Sequence, residues 1–217
     1  MMVLLSIITL LSGFPEESCT DYRFMSTCRY DGEWIETEDT WFGLFRTDSA
    51  FELREVELQL SRSTAPLYEG ERPHPFVVEL IGEPNWPLIV VSSSKTEFTE
   101  GPINTAFQGT QRLDSDTSFT LEAPGIEKTM LVLKDEGLFL SSDQIDQSIS
   151  DTYPIESSGH FIEVVWAGDL DRDGMVDLII NDVDDGYLRF RWSLFLSSEA
   201  DPDALLEKVA TFCDVYY

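Results

Sequence analysis

The chain has 217 residues, 42% hydrophobic and 12% aromatic, with 41 Asp and Glu against 14 Lys and Arg for a formal charge of −27. That is enough apolar chain to bury a core, and too much for a disordered one. The charge argues against nucleic acid or an anionic membrane surface as partner, because like charges repel, and it suits a protein that stays soluble or works among cations.

Residues 1–13, MMVLLSIITLLSG, carry no charged side chain. A bilayer span needs about 20 residues, so no transmembrane span is expected. The stretch reads as the apolar part of a signal peptide, with Ser12 and Gly13 near a cleavage point, although the usual positive leader is missing. A buried first strand is the alternative. Cys19 follows Glu17 and Ser18, which is no lipobox, so a lipoprotein anchor is disfavoured. Residues 14–32 are polar and read as a loop segment. Export permits disulfides. Cys19 and Cys28 could close a small loop, leaving Cys213 as a free thiol or as a partner for either. No CxxC or Cys/His pairing stands at zinc spacing.

Residues 33–217 read as one β-rich domain. Trp41 to Thr47 predicts a strand. Val56, Leu58 and Leu60 alternate with Glu57, Gln59 and Ser61, which predicts a half-buried strand ending before Pro66. Pro75 to Ile81 and Leu88 to Val91 predict two more, separated by the turn cluster Gly82-Glu83-Pro84-Asn85. Residues 99–116 read as a longer loop. Short strands are expected at Phe119–Leu121, Met130–Leu133 and Leu138–Leu140, with Asp135-Glu136-Gly137 as a hairpin turn. Phe161 to Trp166 and Leu178 to Ile180 predict a further pair. Asp184-Asp185-Gly186 then turns the chain into Tyr187–Leu196, where Leu188, Phe190, Trp192 and Leu194 share one face. Ala204 to Phe212 is open between a helix started by Asp201-Pro202 and a closing strand. About ten short strands with regular turns predict an all-β sandwich or barrel-like domain.

Between the last two paired strands lies the segment that names a chemistry: Asp169-Leu170-Asp171-Arg172-Asp173-Gly174-Met175-Val176-Asp177. Carboxylates at positions 1, 3, 5 and 9 with glycine at 6 suit Ca²⁺, a hard cation that takes six to eight oxygens at roughly 2.3–2.6 Å. Gly174 lets the backbone turn sharply, and Met175 would offer its main-chain carbonyl. The predicted ligands are therefore Asp169, Asp171, Asp173, Met175 and Asp177. An EF-hand would need a glutamate at position 12, which is Ile180 here, and helical flanks. This loop joins strands instead. Mg²⁺ suits such a flexible all-protein cage less well. From Asp151 onward there are fifteen Asp or Glu against four Lys or Arg, a local field that should concentrate divalent ions. The bland reading is a solvated acidic turn that binds nothing.

The strand–DxDxDGxxD–strand unit at 160–185, with Gly168 before it, resembles the calcium loop of FG-GAP and VCBS-type repeats found in integrin-like β-propeller blades. The resemblance implies the same five ligands. A propeller needs several blades, and DxDxDGxxD occurs once here, so a single calcium-stapled hairpin within another β-fold is expected. A longer resemblance links Trp41–Phe45, Trp166–Gly174, Leu194-Phe195-Leu196-Ser197-Ser198 and Cys213 to a group of uncharacterised exported bacterial proteins. It implies a closing strand at the C-terminal end and carries no activity.

Other candidates are weaker. Asn181, Asp182, Asp184 and Asp185 lack the loop spacing and read as a solvated turn. Ser92-Ser93-Ser94-Lys95 matches SxxK, yet it ends a strand where that nucleophile needs a helix start. His74 stands between prolines. His160 precedes a strand and is expected near the calcium loop. Neither has a GxSxG context. The five tryptophans could include a sugar-stacking platform, though core packing explains them equally well. The expectation is an exported, periplasmic or extracellular domain, read as non-catalytic, with Ca²⁺ as a structural staple and a protein or glycan ligand open. The alternatives are a calcium-stabilised secreted hydrolase using carboxylates and a calcium-bridged adhesion module.

Overall fold

Leu178, Ile179 and Ile180 are three consecutive buried side chains. Neighbours along a strand point to opposite faces, so this strand must be covered on both. The architecture follows from that requirement. The computed structural model describes residues 22–25, 29–30, 39–48, 50–61, 76–83, 85–113, 118–134, 137–149, 160–184 and 189–215. These residues form seventeen strands in four antiparallel sheets, with no helix among them.

The central sheet has the order β17 (Glu207–Val215), β16 (Arg189–Leu196), β15 (Asp177–Asp184), β14 (His160–Gly168), β9 (Thr105–Leu113). A second five-stranded sheet runs β1 (Tyr22–Met25), β7 (Ile89–Ser93), β3 (Trp41–Arg46), β4 (Phe51–Val56), β8 (Gly101–Ile103). A four-stranded sheet runs β10 (Ser118–Ala123), β11 (Ile126–Lys134), β12 (Gly137–Ser141), β13 (Asp146–Ser148). A small sheet joins β2 (Arg29–Tyr30), β6 (Phe76–Leu80) and β5 (Leu58–Ser61). Each order is linear and none of the sheets closes, so the domain is sandwich-like and the barrel alternative is not realised.

Two hydrophobic cores lie on the two faces of the central sheet. Ile179, Val165, Trp166, Leu194, Leu196 and Val209 pack with Leu44, Leu53, Val90 and Trp41 of the second sheet. Leu178, Ile180, Val164, Ala167 and Phe195 pack with Leu121, Leu131, Leu133 and Leu140 of the four-stranded sheet. A bulge in β14 between Val164 and Trp166 puts Val165 and Trp166 on the same side. It places the indole of Trp166 edge-on to Phe51, with ring centroids 6.3 Å apart.

Several expectations are corrected. The described residues hold seventeen strands where about ten were expected, within the all-β class foreseen. Residues 99–116, read as a loop, contain β8 and β9. β9 is an edge strand whose residues 108–112 are exposed, so nothing demanded an apolar pattern there. Within 14–32, read as polar loop, Tyr22–Met25 forms β1 against β7 and sends Phe24 and Met25 into the core. The Val56–Ser61 alternation spans two strands. The chain leaves the second sheet at Glu57, whose carbonyl accepts the Ile81 N–H at 2.9 Å, and enters the small sheet as β5. Of Ala204–Phe212, residues 207–212 are strand within β17, with Trp192 opposite Phe212, and no helix forms there. Residues 1–13, Cys19, Cys28, His74 and Trp34 lie outside the described residues.

One side chain ties the four-stranded sheet to the central one. Gln147 Oε1 accepts the N–H groups of Leu205 (2.7 Å) and Leu206 (2.9 Å), and its Nε2 donates to Leu206 O at 2.6 Å. The amide thus imitates a strand partner. Gln147→Ala strands these groups at a half-buried junction, and a loss of about 1–3 kcal/mol is expected, read as a lower urea midpoint at unchanged slope.

Candidate metal centre

The loop 169–176 connects β14 to β15 at one end of the central sheet, and its carboxylates, with Asp177 at the start of β15, fold it. Asp177 Oδ2 accepts the Leu170 N–H at 2.6 Å, Asp169 Oδ2 accepts the Gly174 N–H at 3.2 Å, and Asp173 Oδ1 accepts the Met175 N–H at 2.8 Å. Short acidic side chains that bond backbone nearby are what hold such turns together. Gly174 has φ of +88°, in the left-handed region open to glycine, and makes the sharp turn expected of it. Arg172 also has positive φ, +68°, unusual for a residue with a side chain.

The loop touches three sheets. It continues the central sheet, and Asp169 N–H donates to Asn104 O (2.9 Å), just before β9. Arg172 Nη2 donates to Glu100 O at 2.8 Å, at the start of β8, which offsets its backbone strain. Gly174 O accepts the Glu127 N–H of β11 at 3.1 Å. Gly168 makes this closeness feasible. A Cβ there would lie 2.5 Å from Asn104 O and 2.4 Å from Trp166 Cζ2.

Three of the predicted ligands converge. One carboxylate oxygen from each of Asp169, Asp171 and Asp177 lies within 4.8 Å of the others, a spacing that could hold a metal ion. Asp177 is fully buried and Asp169 is 5% exposed, while Asp171 is half-buried on the solvent side. Asp169 Oδ1 is a buried oxygen without a hydrogen-bond partner. A carboxylate oxygen in that position carries a desolvation cost, which the backbone N–H groups of Gly174, Arg172 and Asp173 around the carboxylate offset only in part. Asp173 lies outside the group of three and is exposed, and its two oxygens stand 3.1 and 3.0 Å from Ser197 Oγ. Met175 places its N–H on Asp173.

Two serines at the end of β16 complete the site. Ser197 donates its N–H to Asp177 Oδ1 at 2.9 Å, and its Oγ lies 3.0 Å from the same oxygen. Ser198 Oγ donates to Asp171 Oδ2. Loop spacing gave no sign of either serine. The only sequence signal was the Leu194–Ser198 run noted above.

The electrostatics oppose three ionised acids here. Burial pushes the Asp177 carboxyl well above the usual carboxylate range, the Asp171 charge adds to this, and the bonds from Ser197 and Leu170 pull it partway back. Burial also raises Asp169 and Asp171, with the charge of Asp173 adding to both. Two charges at 4.8 Å repel by about 3.5 kcal/mol at an effective dielectric constant of about 20. Solvent screening lowers that figure for the half-exposed Asp171.

The remaining candidates are engaged elsewhere. His160 opens β14 opposite Asp184, and eight residues of strand, about 27 Å, separate it from the loop, so it is not the neighbour expected. Asn181 Nδ2 donates to Glu163 Oε2 at 3.0 Å, and Asp182 pairs with Arg191 at 3.9 Å. Ser93 Oγ accepts the N–H groups of Lys95 and Thr96, a turn contact. Trp41 and Trp166 are buried, and Trp86 and Trp192 pack half-buried against the core. No helix among the described residues is long and apolar enough to cross a membrane. Comparison with protein-family models, curated proteins and solved structures gave no match.

Two outcomes are expected for the metal-free protein. Gly168→Ala should destabilise by about 1–3 kcal/mol or more, because the Asn104 carbonyl is backbone and cannot swing aside; chemical denaturation measures this. The raised carboxyls give a pH signature. Their stabilising contribution is complete below about pH 4 and is lost as pH rises through their elevated values. The melting temperature in chelator should therefore fall from pH 4 towards neutrality, and Asp171→Asn should flatten the fall against the same charged background.

Proposed function

We propose that the chain is an exported β-domain whose layers are clamped by one Ca²⁺ held at Asp169, Asp171 and Asp177, and that it serves as a non-catalytic interaction module. The observation that carries the cation is the unpartnered, buried Asp169 Oδ1 beside two further carboxylates. All the donors are oxygens, which favours a hard cation over zinc or copper. The single DxDxDGxxD loop and its resemblance to FG-GAP and VCBS-type loops favour calcium among hard cations. Asp173 and the Met175 carbonyl would complete the shell after a small adjustment of the loop. When bound, the ion supplies the positive charge that three converging acids lack. The chain's own residues fix where that charge sits, and the loop's bonds to Asn104, Glu127 and Glu100 carry the gain to three sheets.

Export rests on the apolar residues 1–13 and on the abundance of calcium outside cells. A second reading, a calcium-bridged adhesion module, draws on the half-buried Asp171 and the exposed Asp173, which leave the solvent side of the group open to a partner's carboxylate.

Calorimetric titration and thermal melting of chelator-treated protein test the proposal. Wild type should bind one Ca²⁺ per chain, and at 100 times the dissociation constant gain about 2.7 kcal/mol, a rise of roughly 5–10 °C for a chain of this size. Asp169→Asn and Asp171→Asn should lose most of the shift, and Asp173→Asn less of it. A wild type that melts identically with calcium and with chelator would sink the proposal, as would equal shifts in all four proteins.

A further inference from the structure

We infer that Ser197 and Ser198 are positioning residues of the cation site, a remote arm that aims its carboxylates; the inference rests on the cation reading above. A carboxylate turns easily about its terminal torsion, where the energy wells are broad. Something must therefore hold each oxygen at the bearing an ion needs, and neighbouring groups that orient ligands in this way typically govern affinity. The arm reaches three of the four loop acids. Ser198 Oγ holds Asp171 Oδ2. Ser197 holds Asp177 Oδ1 through both its N–H and its hydroxyl, at 2.9 and 3.0 Å. The same hydroxyl lies 3.1 and 3.0 Å from the two oxygens of Asp173. A serine hydroxyl has one proton to give, so Asp173 and Asp177 compete for it. Asp169 is the acid the arm leaves alone, and its Oδ1 is the oxygen without a partner.

The arm is braced from the second sheet. Glu199, the next residue, pairs with Lys95 Nζ and accepts the Thr96 hydroxyl at 3.1 Å. Lys95 and Thr96 are themselves held by Ser93 Oγ at the end of β7. The turn is closed by the Ala200 N–H on Ser197 O at 3.1 Å. The serines are thus fixed to a neighbouring sheet before any ion arrives, so the Asp171 and Asp177 oxygens they hold are pre-aimed.

Ser198 is exposed, so Ser198→Ala should fold. The full chain, its Ser198→Ala form and its Ser198→Thr form are titrated with CaCl₂ after chelation, and each is melted in chelator. The expected result is about tenfold weaker calcium binding for Ser198→Ala, recovery in Ser198→Thr, and chelator melting temperatures that stay together. A serine that only supported the fold would lower the chelator melting temperature and leave affinity alone. If wild type and Ser198→Ala bind calcium equally, the arm has no positioning role and the cation reading survives. If wild type itself binds no calcium, both are overturned.

Discussion

The convergence of Asp169, Asp171 and Asp177 at the end of a doubly covered sheet is the constraint on which the rest of this structure turns. Hydrophobic burial on both faces of the central sheet fixes where β14 ends and β15 begins. Asp169 and Asp177 stand at those two ends and are carried inward with them. Their oxygens then lie close enough for repulsion to rival a good part of the 5–15 kcal/mol by which a domain is usually stable. The N–H groups of Leu170, Gly174 and Ser197 offset part of this. They leave Asp169 Oδ1 unsatisfied. A protein can keep such an arrangement by holding protons on the acids or by accepting a cation.

The same loop is a mechanical junction. The four-stranded sheet meets it through Glu127, the second sheet through Arg172 and the Glu100 carbonyl, and the central sheet through its own chain. Each bond is worth only about 1 kcal/mol. They act together because they share one short segment whose shape depends on where its carboxylates point. Loosening that segment loosens three interfaces at once, which is how a local electrostatic event reaches a fold with two separate cores.

Much of the strand pattern was legible in the sequence, and the physical reason is burial. Phe161–Trp166, Leu178–Ile180 and Ser193–Leu196 belong to strands packed on both sides, so they carry consecutive apolar or small residues that a solvated loop would not keep. Segments that escaped notice lacked that pressure. β9 has an open edge and an exposed stretch, β13 is three residues of a sheet rim, and β1 hides Phe24 and Met25 in a polar stretch. The Val56–Leu60 alternation matches the inside and outside of the fold, with Val56 and Leu58 buried and Glu57 and Gln59 exposed. It gave no hint that Glu57 hands the chain from one sheet to another, because periodicity carries no record of the partner strand.

At the site, local sequence determined the loop. Asp at alternate positions and glycine at the sixth shape the backbone through contacts spanning only a few residues, and Gly174, at positive φ, makes the sharp turn that its place in the motif foretold. Tertiary structure alone decided which acids meet and what steadies them. Asp169, Asp171 and Asp177 are drawn together while Asp173 turns to Ser197, because the end of β16 arrives beside the loop. That arrival depends on sheet register over about twenty residues of intervening chain. Side-chain spacing can fix a turn, but only the packing of distant strands fixes what the turn faces.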